Sequence, residues 1–405
     1  MAEQTAPTTQ STYNDQNHAL TFPRDFYWGA STAAHQIEGN NIASDWWADE
    51  HRTPANPRIA EPSGDACDSY NRYEDDIRLL AESGLTMYRF SIEWARIEPV
   101  RGHISQAQLL HYRDMIDTCR KYGVEPMVTL LHFTTPQWFA EHGGWEADDC
   151  VELFCNYVRT VMPILDGVTW VCTINEPNML ALLMYGAPDD QGEYEPNMTV
   201  AHNLVAAHKA ARKILHTDPR IRSGWTVAAQ NYEAANGLSD EALAEFSYPR
   251  EEFFLEAAAG DAWLGVQAYL RTLVGPDGPL PVADGMEKTL TGWEYFPPAL
   301  GIALRKAWKH GNGTPLFVTE NGIATSDDER RKDYTFGALT GMREAMDDGI
   351  PVLGYLHWSL LDNYEWGSFK PTFGLIAWDK TTFERHPKSS LSWLGGIAKS
   401  GVAAR

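Results

Sequence analysis

The chain is poor in cysteine, has no long apolar run and is short of basic residues. Five cysteines occur in 405 residues, Cys67, Cys119, Cys150, Cys155 and Cys172, an odd number with no CxxC pair. A chain this long buries enough apolar surface to need no covalent staples, so the count excludes a disulfide framework and points to reduced thiols in a cytoplasmic protein. No window approaches 18 consecutive apolar residues, which excludes a membrane-spanning helix. Lys and Arg total 33 against 55 Asp and Glu, a net charge of -22. That balance repels phosphate backbones and anionic headgroups, so neither nucleic acid nor a membrane is expected as a partner. There is no HExxH or HxH cluster, so no metal is called for; His202 and His208, in an Ala-rich helix, read as packing or surface residues. No GxGxxG turn follows the first strand, and no organic cofactor is implied.

What is present is an alternation of strands and helices. Residues 1–17 are polar, lack the basic and apolar regions of a signal peptide, and read as a disordered tail. Strands are predicted at 22–30, 85–91, 124–131, 168–174, 222–228, 263–268, 316–320 and 352–357. Helices are predicted at 70–83, 106–122, 150–165, 200–216, 240–256, 297–308 and 333–348, several of them stopped by glycine. Strands apolar on both faces and separated by helices make a parallel sheet, and eight such units in about 400 residues predict a single closed (β/α)8 barrel over 18–405. The Pro/Gly-rich stretch 275–285 reads as a βα loop over the active face.

Two apolar runs stop at an acid. Leu316 to Thr319 leads into Glu320-Asn321-Gly322, and Val168 to Ile174 into Asn175-Glu176-Pro177. Glu320 follows Glu176 by 144 residues, three βα units of 48. In a barrel both acids therefore rise at the C-terminal face, where two carboxylates perform hydrolytic chemistry. Arg89, His132 and Tyr269 also lie within or at the ends of strands. A buried arginine demands a negative partner, and one of the two glutamates is the simplest candidate. Trp94 and Trp170, inside apolar runs, are assigned to the core.

These residues carry a resemblance to glycoside hydrolase family 1, the retaining β-glucosidases and their relatives, running from about Phe22 to Trp393. Phe26 to Gly39 is similar to the N-terminal signature of that family, 173–177 (TINEP) to its acid/base motif and 318–322 (VTENG) to its nucleophile motif. Two further blocks, 88–97 and 357–366, match in order. The resemblance implies a (β/α)8 barrel that cleaves a small-molecule β-glycoside, most simply a β-glucoside, by double displacement. Glu320 is then the nucleophile and Glu176 the general acid/base, about 5 to 5.5 Å apart. It further implies that Arg89, Asn175 and Tyr269 support catalysis and that Gln36 and Glu365 grip the C3 and C4 hydroxyls. His132 and Asn175 then lie near C3 and C2, Trp358 forms the floor, and the Trp366 indole donates a hydrogen bond.

Departures from the family pattern fall around the pocket. Strand six ends Gln267-Ala268-Tyr269 where the family has Asn-Tyr-Tyr, and Gly367-Ser368-Phe369-Lys370 replaces the usual Ala-Glu-Gly-Tyr after Trp366, which leaves contacts to the C6 side of the sugar open. Glu365 argues against a 6-phosphosugar. Missing material after Glu176 predicts a more open leaving-group side and tolerance of a large aglycone. A transglycosidase shares every catalytic residue and so competes with a hydrolase. A sugar-binding pseudoenzyme and a metal-dependent barrel hydrolase are weaker competitors. The pattern is compatible with a homodimer.

Overall fold

The computed structural model describes residues 19–188 and 193–405; the tail expected over 1–17 lies outside them. Eight parallel strands close into a barrel in chain order: β1 Tyr27–Ser31, β2 Met87–Ser91, β3 Glu125–Thr129, β4 Trp170–Asn175, β5 Arg222–Ala229, β6 Trp263–Ala268, β7 Leu316–Asn321 and β8 Val352–Trp358. β8 returns to β1 through pairs such as Gly354 with Tyr27 and Trp358 with Ser31. Every residue of β2, β4, β6 and β7 is buried, as expected for strands covered on one face by helices and on the other by the barrel filling. The filling at the N-terminal end is Met87, Met127, Trp170, Cys172, Trp263, Phe317 and Leu356. Trp170 and Trp94 are core residues, as expected. All five cysteines are buried free thiols.

The longer helices among the described residues are α1 Ser69–Ser83, α2 Gln106–Lys121, α3 Cys150–Val161, α4 Met198–Leu215, α5 Asp240–Ser247, α6 Ala299–His310, α7 Asp328–Asp347 and α8 Ser389–Ser400. Four details correct the sequence reading. β1 begins at Tyr27, because the preceding aromatics Phe22 and Phe26 pack on Trp28 instead of pairing, while Leu20–Thr21 forms a small sheet with Val402–Ala403. Helix α7 starts at Asp328, where the Asp327 carboxylate caps the amides of Glu329 and Arg330. Helix α8 has no counterpart among the helices expected from the sequence, since its serines and glycines are weak helix formers. Packing supports it instead: a Cβ on Gly395 would lie 2.1 Å from the Ser83 carbonyl, so glycine lets α8 seat directly on α1. Finally, the 275–285 loop is partly sheet, as Thr272–Gly275 pairs with Gly278–Pro279 and with Tyr232–Ala234.

The active-face loops are fastened to the barrel by one cation. Arg331 of α7, 1% exposed, donates to the carbonyls of Ile323 (2.9 Å) and Thr325 (2.7 Å) after β7, and of Thr372 (3.2 Å) and Phe373 (3.1 Å) after β8. Replacing it by methionine keeps the stem but leaves the Ile323 carbonyl without a donor and takes one of two donors from the carbonyls of Thr325, Thr372 and Phe373. Arg331→Met is expected to lose about 3 kcal/mol in urea denaturation, and Arg331→Lys, which lacks the planar fork, is expected to recover less than half of it.

Candidate active site

A cavity of about 410 Å³ opens at the C-terminal end of the barrel, with Glu176, Glu320, His132, Tyr269, Trp358, Glu365 and Trp366 in its lining. The residues singled out from the sequence converge here. Gln36 sits on the short helix Ala34–Ile37 after β1, Arg89 on β2, His132 just after β3 and Asn175 at the end of β4. Glu176 comes next in the chain, Tyr269 follows β6, Glu320 lies in β7, and Trp358 ends β8 with Glu365 and Trp366 in the following loop.

Arg89 is the hub. Fully buried, it donates from Nη1 to Glu320 Oε1 at 2.6 Å, from Nη2 to Asn175 Oδ1 at 2.5 Å and from Nε to Thr129 Oγ1 at 3.0 Å. Its negative partner is therefore Glu320. Tyr269 donates its hydroxyl to Glu320 Oε2 at 2.6 Å. A further donor is visible in the sequence only as a departure: Gln267 Nε2 reaches both Glu320 Oε1 (2.7 Å) and Asn175 Oδ1 (2.9 Å). Thr226, which no motif signals, adds a bond to Asn175 Oδ1 at 3.1 Å. With three donors on its oxygen, the Asn175 amide has one orientation, and its Nδ2 faces His132 Nε2 at 3.4 Å.

Local backbone irregularities aim these groups. Between β6 and β7 the register runs Val266 with Val318, then Gln267 with Glu320, so Thr319 is an extra residue, a bulge that carries Glu320 beside Gln267. A similar slip between β4 and β5 separates Cys172–Gly224 from Asn175–Thr226. Asn321 pins the end of β7 on both sides, donating to the Ala268 carbonyl at 2.6 Å and accepting from the Tyr355 hydroxyl at 2.9 Å. Gly322 follows because a Cβ there would lie 2.0 Å from the Trp358 carbonyl. Three non-glycine residues lining the cavity adopt the left-handed region, Phe133 (φ 64°), Glu176 (φ 43°) and Trp366 (φ 46°); such strain gathers where a side chain must be presented to a ligand.

The two carboxyls differ in their surroundings. Burial is the largest influence on each and pushes both upward. Glu320 is pulled back by the Arg89 guanidinium and the Tyr269 hydroxyl. Glu176 is pushed well up, since the charges of Glu320 and Glu365 add to its burial and only Arg89, through space, opposes them. Among the described residues no side chain donates to the Glu176 carboxyl. Glu176 therefore holds its proton more tightly than Glu320. Glu365 is pushed up to about 8 by burial and then by Glu320, with the Trp358 indole and the Gln36 amide opposing. Gln36 donates to Glu365 Oε2 at 3.3 Å while its own Oε1 is buried without a partner among the described residues. His132 is held neutral by burial and by Arg89, and its ring lies parallel to those of Trp358 and Trp366 at 5.9 and 6.1 Å. No group of three metal-ligating side chains exists among the described residues. His208 is buried in a pair with Asp261 at 3.0 Å.

The chain that carries this site has counterparts among known proteins. The sequence profile of glycosyl hydrolase family 1 matches residues 18–257 and 279–402. Beta-glucosidase A of Thermotoga maritima is 31% identical over 441 aligned residues, covering 94% of this chain and 98% of its own. A beta-glucosidase of an Agrobacterium species is 30% identical, with coverages of 94% and 96%. Among solved structures, the beta-glycosidase BGL167 superposes with a TM-score of 0.87 at 42% identity, covering 95% of this chain and 98% of that one. The beta-glycosidase from Pyrococcus horikoshii gives 0.87 at 33%, with 96% and 97%. On a profile that spans nearly the whole chain and relatives matched from end to end, the protein belongs to glycosyl hydrolase family 1.

Proposed function

We propose that this retaining β-glycosidase removes terminal β-D-glucosyl residues, with Glu320 as nucleophile and Glu176 as general acid and then general base. The observation that carries the reading is the asymmetry between the two acids. Glu320, bound by Arg89, Gln267 and Tyr269, is kept as an oriented anion ready to attack an anomeric carbon. Glu176, buried and without a donor, keeps a proton to give to the departing oxygen, then accepts one from water once the glycosyl-enzyme has formed and the charge on Glu320 has gone.

The glycone grip follows from the polar side of the cavity. A sugar hydroxyl both donates and accepts, so it suits the unpartnered Gln36 Oε1 and the adjoining Glu365 carboxyl. In this reading Asn175 Nδ2 and His132 take hydroxyls on the next ring positions, and Trp358 and Trp366 the apolar face and edge of the ring. The carboxyl of Glu365 disfavours a phosphorylated sugar. Glucose is the glycone that the beta-glucosidase names of the relatives support.

Glu320→Gln is expected to lower kcat/KM on nitrophenyl β-D-glucoside by about 10⁴-fold or more. Glu176→Gln should cost about 10² to 10⁴-fold on substrates with poor leaving groups and far less on dinitrophenyl glucoside, whose departure needs no proton. Wild-type rates in either variant overturn the assignment.

The activity should follow a bell in pH. Its alkaline limb reports loss of the Glu176 proton and disappears in Glu176→Gln, while its acid limb reports protonation of Glu320. Tyr269→Phe removes a donor to the anion, so the affinity of Glu320 for a proton rises. The acid limb of kcat/KM is therefore expected to move to higher pH, with a fall of roughly 10² in rate at the optimum. An acid limb that stays in place shows that Tyr269 does not hold the nucleophile.

A further inference from the structure

The side of the cavity that receives the leaving group differs in chemistry from the side that would hold the sugar. Polar atoms of His132 and Glu365 lie at one pole of the lining, with Gln36 bonded to Glu365 and Asn175 to His132. Beyond Glu176 and Tyr269 the lining contains, among the described residues, Met179, Leu182, Leu183, Ala228 and Leu270, with Gln230 as the one polar side chain of this group. The Gln230 amide donates to the Met179 sulfur, a weak acceptor, at 4.0 Å.

The first three of these residues come from one irregular turn. Pro177–Met179 begins a helix directly after Glu176, and Leu180–Met184 continues it as a π turn, closed by the Tyr185 amide on the Leu180 carbonyl at 3.1 Å. A π turn accommodates an extra residue and is common beside functional sites. Here the widened turn keeps Leu180 and Ala181 in the core and brings Leu182 and Leu183 to the cavity. Leu183 remains 46% exposed and Met184 38% exposed. Isolated exposed apolar residues need no explanation, but consecutive ones at the mouth of a catalytic cavity form a surface that a ligand covers.

We infer that the aglycone this enzyme is shaped to release is an apolar alcohol, alkyl or aryl, in preference to a second sugar. The inference rests on the β-glucosidase reading above and names the leaving-group class for that same site. A second glucosyl unit would bring several hydroxyls against Met179, Leu182, Leu183 and Leu270, where Gln230 could satisfy at most two or three hydrogen bonds. Each hydroxyl desolvated without a partner weakens binding by roughly tenfold. A hydrocarbon in the same place loses nothing and removes its own surface, and that of Leu183, from water. The effect acts on the first step, in which the C1–O bond breaks, Glu176 protonates the departing oxygen and Glu320 bonds to C1.

The test uses wild-type enzyme and a series of n-alkyl β-D-glucosides from methyl to hexyl, whose leaving groups have nearly the same basicity, with cellobiose for comparison. Values of kcat/KM are expected to rise about threefold for each added methylene, and hexyl glucoside to exceed cellobiose by at least tenfold. In Leu183→Gln, a change at an exposed position, the hexyl-to-methyl ratio is expected to fall by threefold or more and the cellobiose-to-methyl ratio to rise. A flat alkyl series, cellobiose equal to hexyl glucoside, or ratios unchanged in Leu183→Gln overturn the inference while leaving the glucosidase reading intact, provided methyl glucoside is cleaved. Failure to cleave methyl, nitrophenyl and hexyl glucosides alike overturns the glucosidase reading and this inference with it.

Discussion

A guanidinium buried at the centre of the barrel mouth is the constraint on which the site depends. Removing a charge from water costs several kcal/mol unless partners replace the lost hydration. Arg89 finds them on three other strands: Thr129 on β3, Asn175 on β4 and Glu320 on β7. β2 and β7 are not neighbours in the sheet, with β8 and β1 between them, so the bond from Arg89 to Glu320 crosses the mouth and forms only in a closed barrel. The charge that disfavours burial in isolation thus couples catalytic geometry to closure of the fold. Truncating either member leaves the other as an unpaired buried ion, which makes Glu320 and Arg89 a single structural unit.

The rest of the polar network serves to give each acceptor one position. Asn175 Oδ1 is shared by Arg89, Gln267 and Thr226, and the same Arg89 and Gln267 also hold Glu320 Oε1. Two donors bridging the same two acceptors form a closed ring that rotation of any single side chain would break. The four bonds fix both acceptors, although Gln267 Oε1 is left buried without a partner among the described residues. Gln267 fits this ring despite being one methylene longer than the residue usual in the family, because the bulge at Thr319 brings Glu320 level with it.

The barrel and its strand order are legible because they rest on repeated, redundant signals: buried apolar runs, helical periodicity and glycine stops. The acids are legible because each interrupts such a run at a strand end. What is not legible depends on tertiary contact. The bulges at the ends of β4 and β7 have no composition of their own, since any residue can be the extra one when neighbouring strands dictate the pairing. The left-handed conformations of Phe133, Glu176 and Trp366 contradict local preference and are imposed by packing. Gln267 shows in sequence only as an imperfect match, although the structure gives it two short bonds to the central groups. Helix α8 is hidden by its serines and glycines, although one of them, Gly395, is what lets it approach α1 so closely. The apolar turn after Glu176 has the composition of ordinary core, and only the fold turns Met179, Leu182 and Leu183 to the cavity.

The two acids begin as runs of the same local form, an apolar strand, a glutamate beside an asparagine, and a turn. Nothing in that form distinguishes a nucleophile from an acid. The distinction comes from which neighbours the barrel delivers. Glu320 lies inside a bulged strand, within reach of three donors, while Glu176 sits one residue beyond its strand in a left-handed turn that lifts it clear of them. Moving Glu176 back by one position would place its carboxyl where the Asn175 amide now is, next to Arg89, and would ionise it. The single step of backbone past the end of β4, at φ 43°, therefore leaves Glu176 without the donors that draw the Glu320 carboxyl down, while burial and the charges of Glu320 and Glu365 hold it well up.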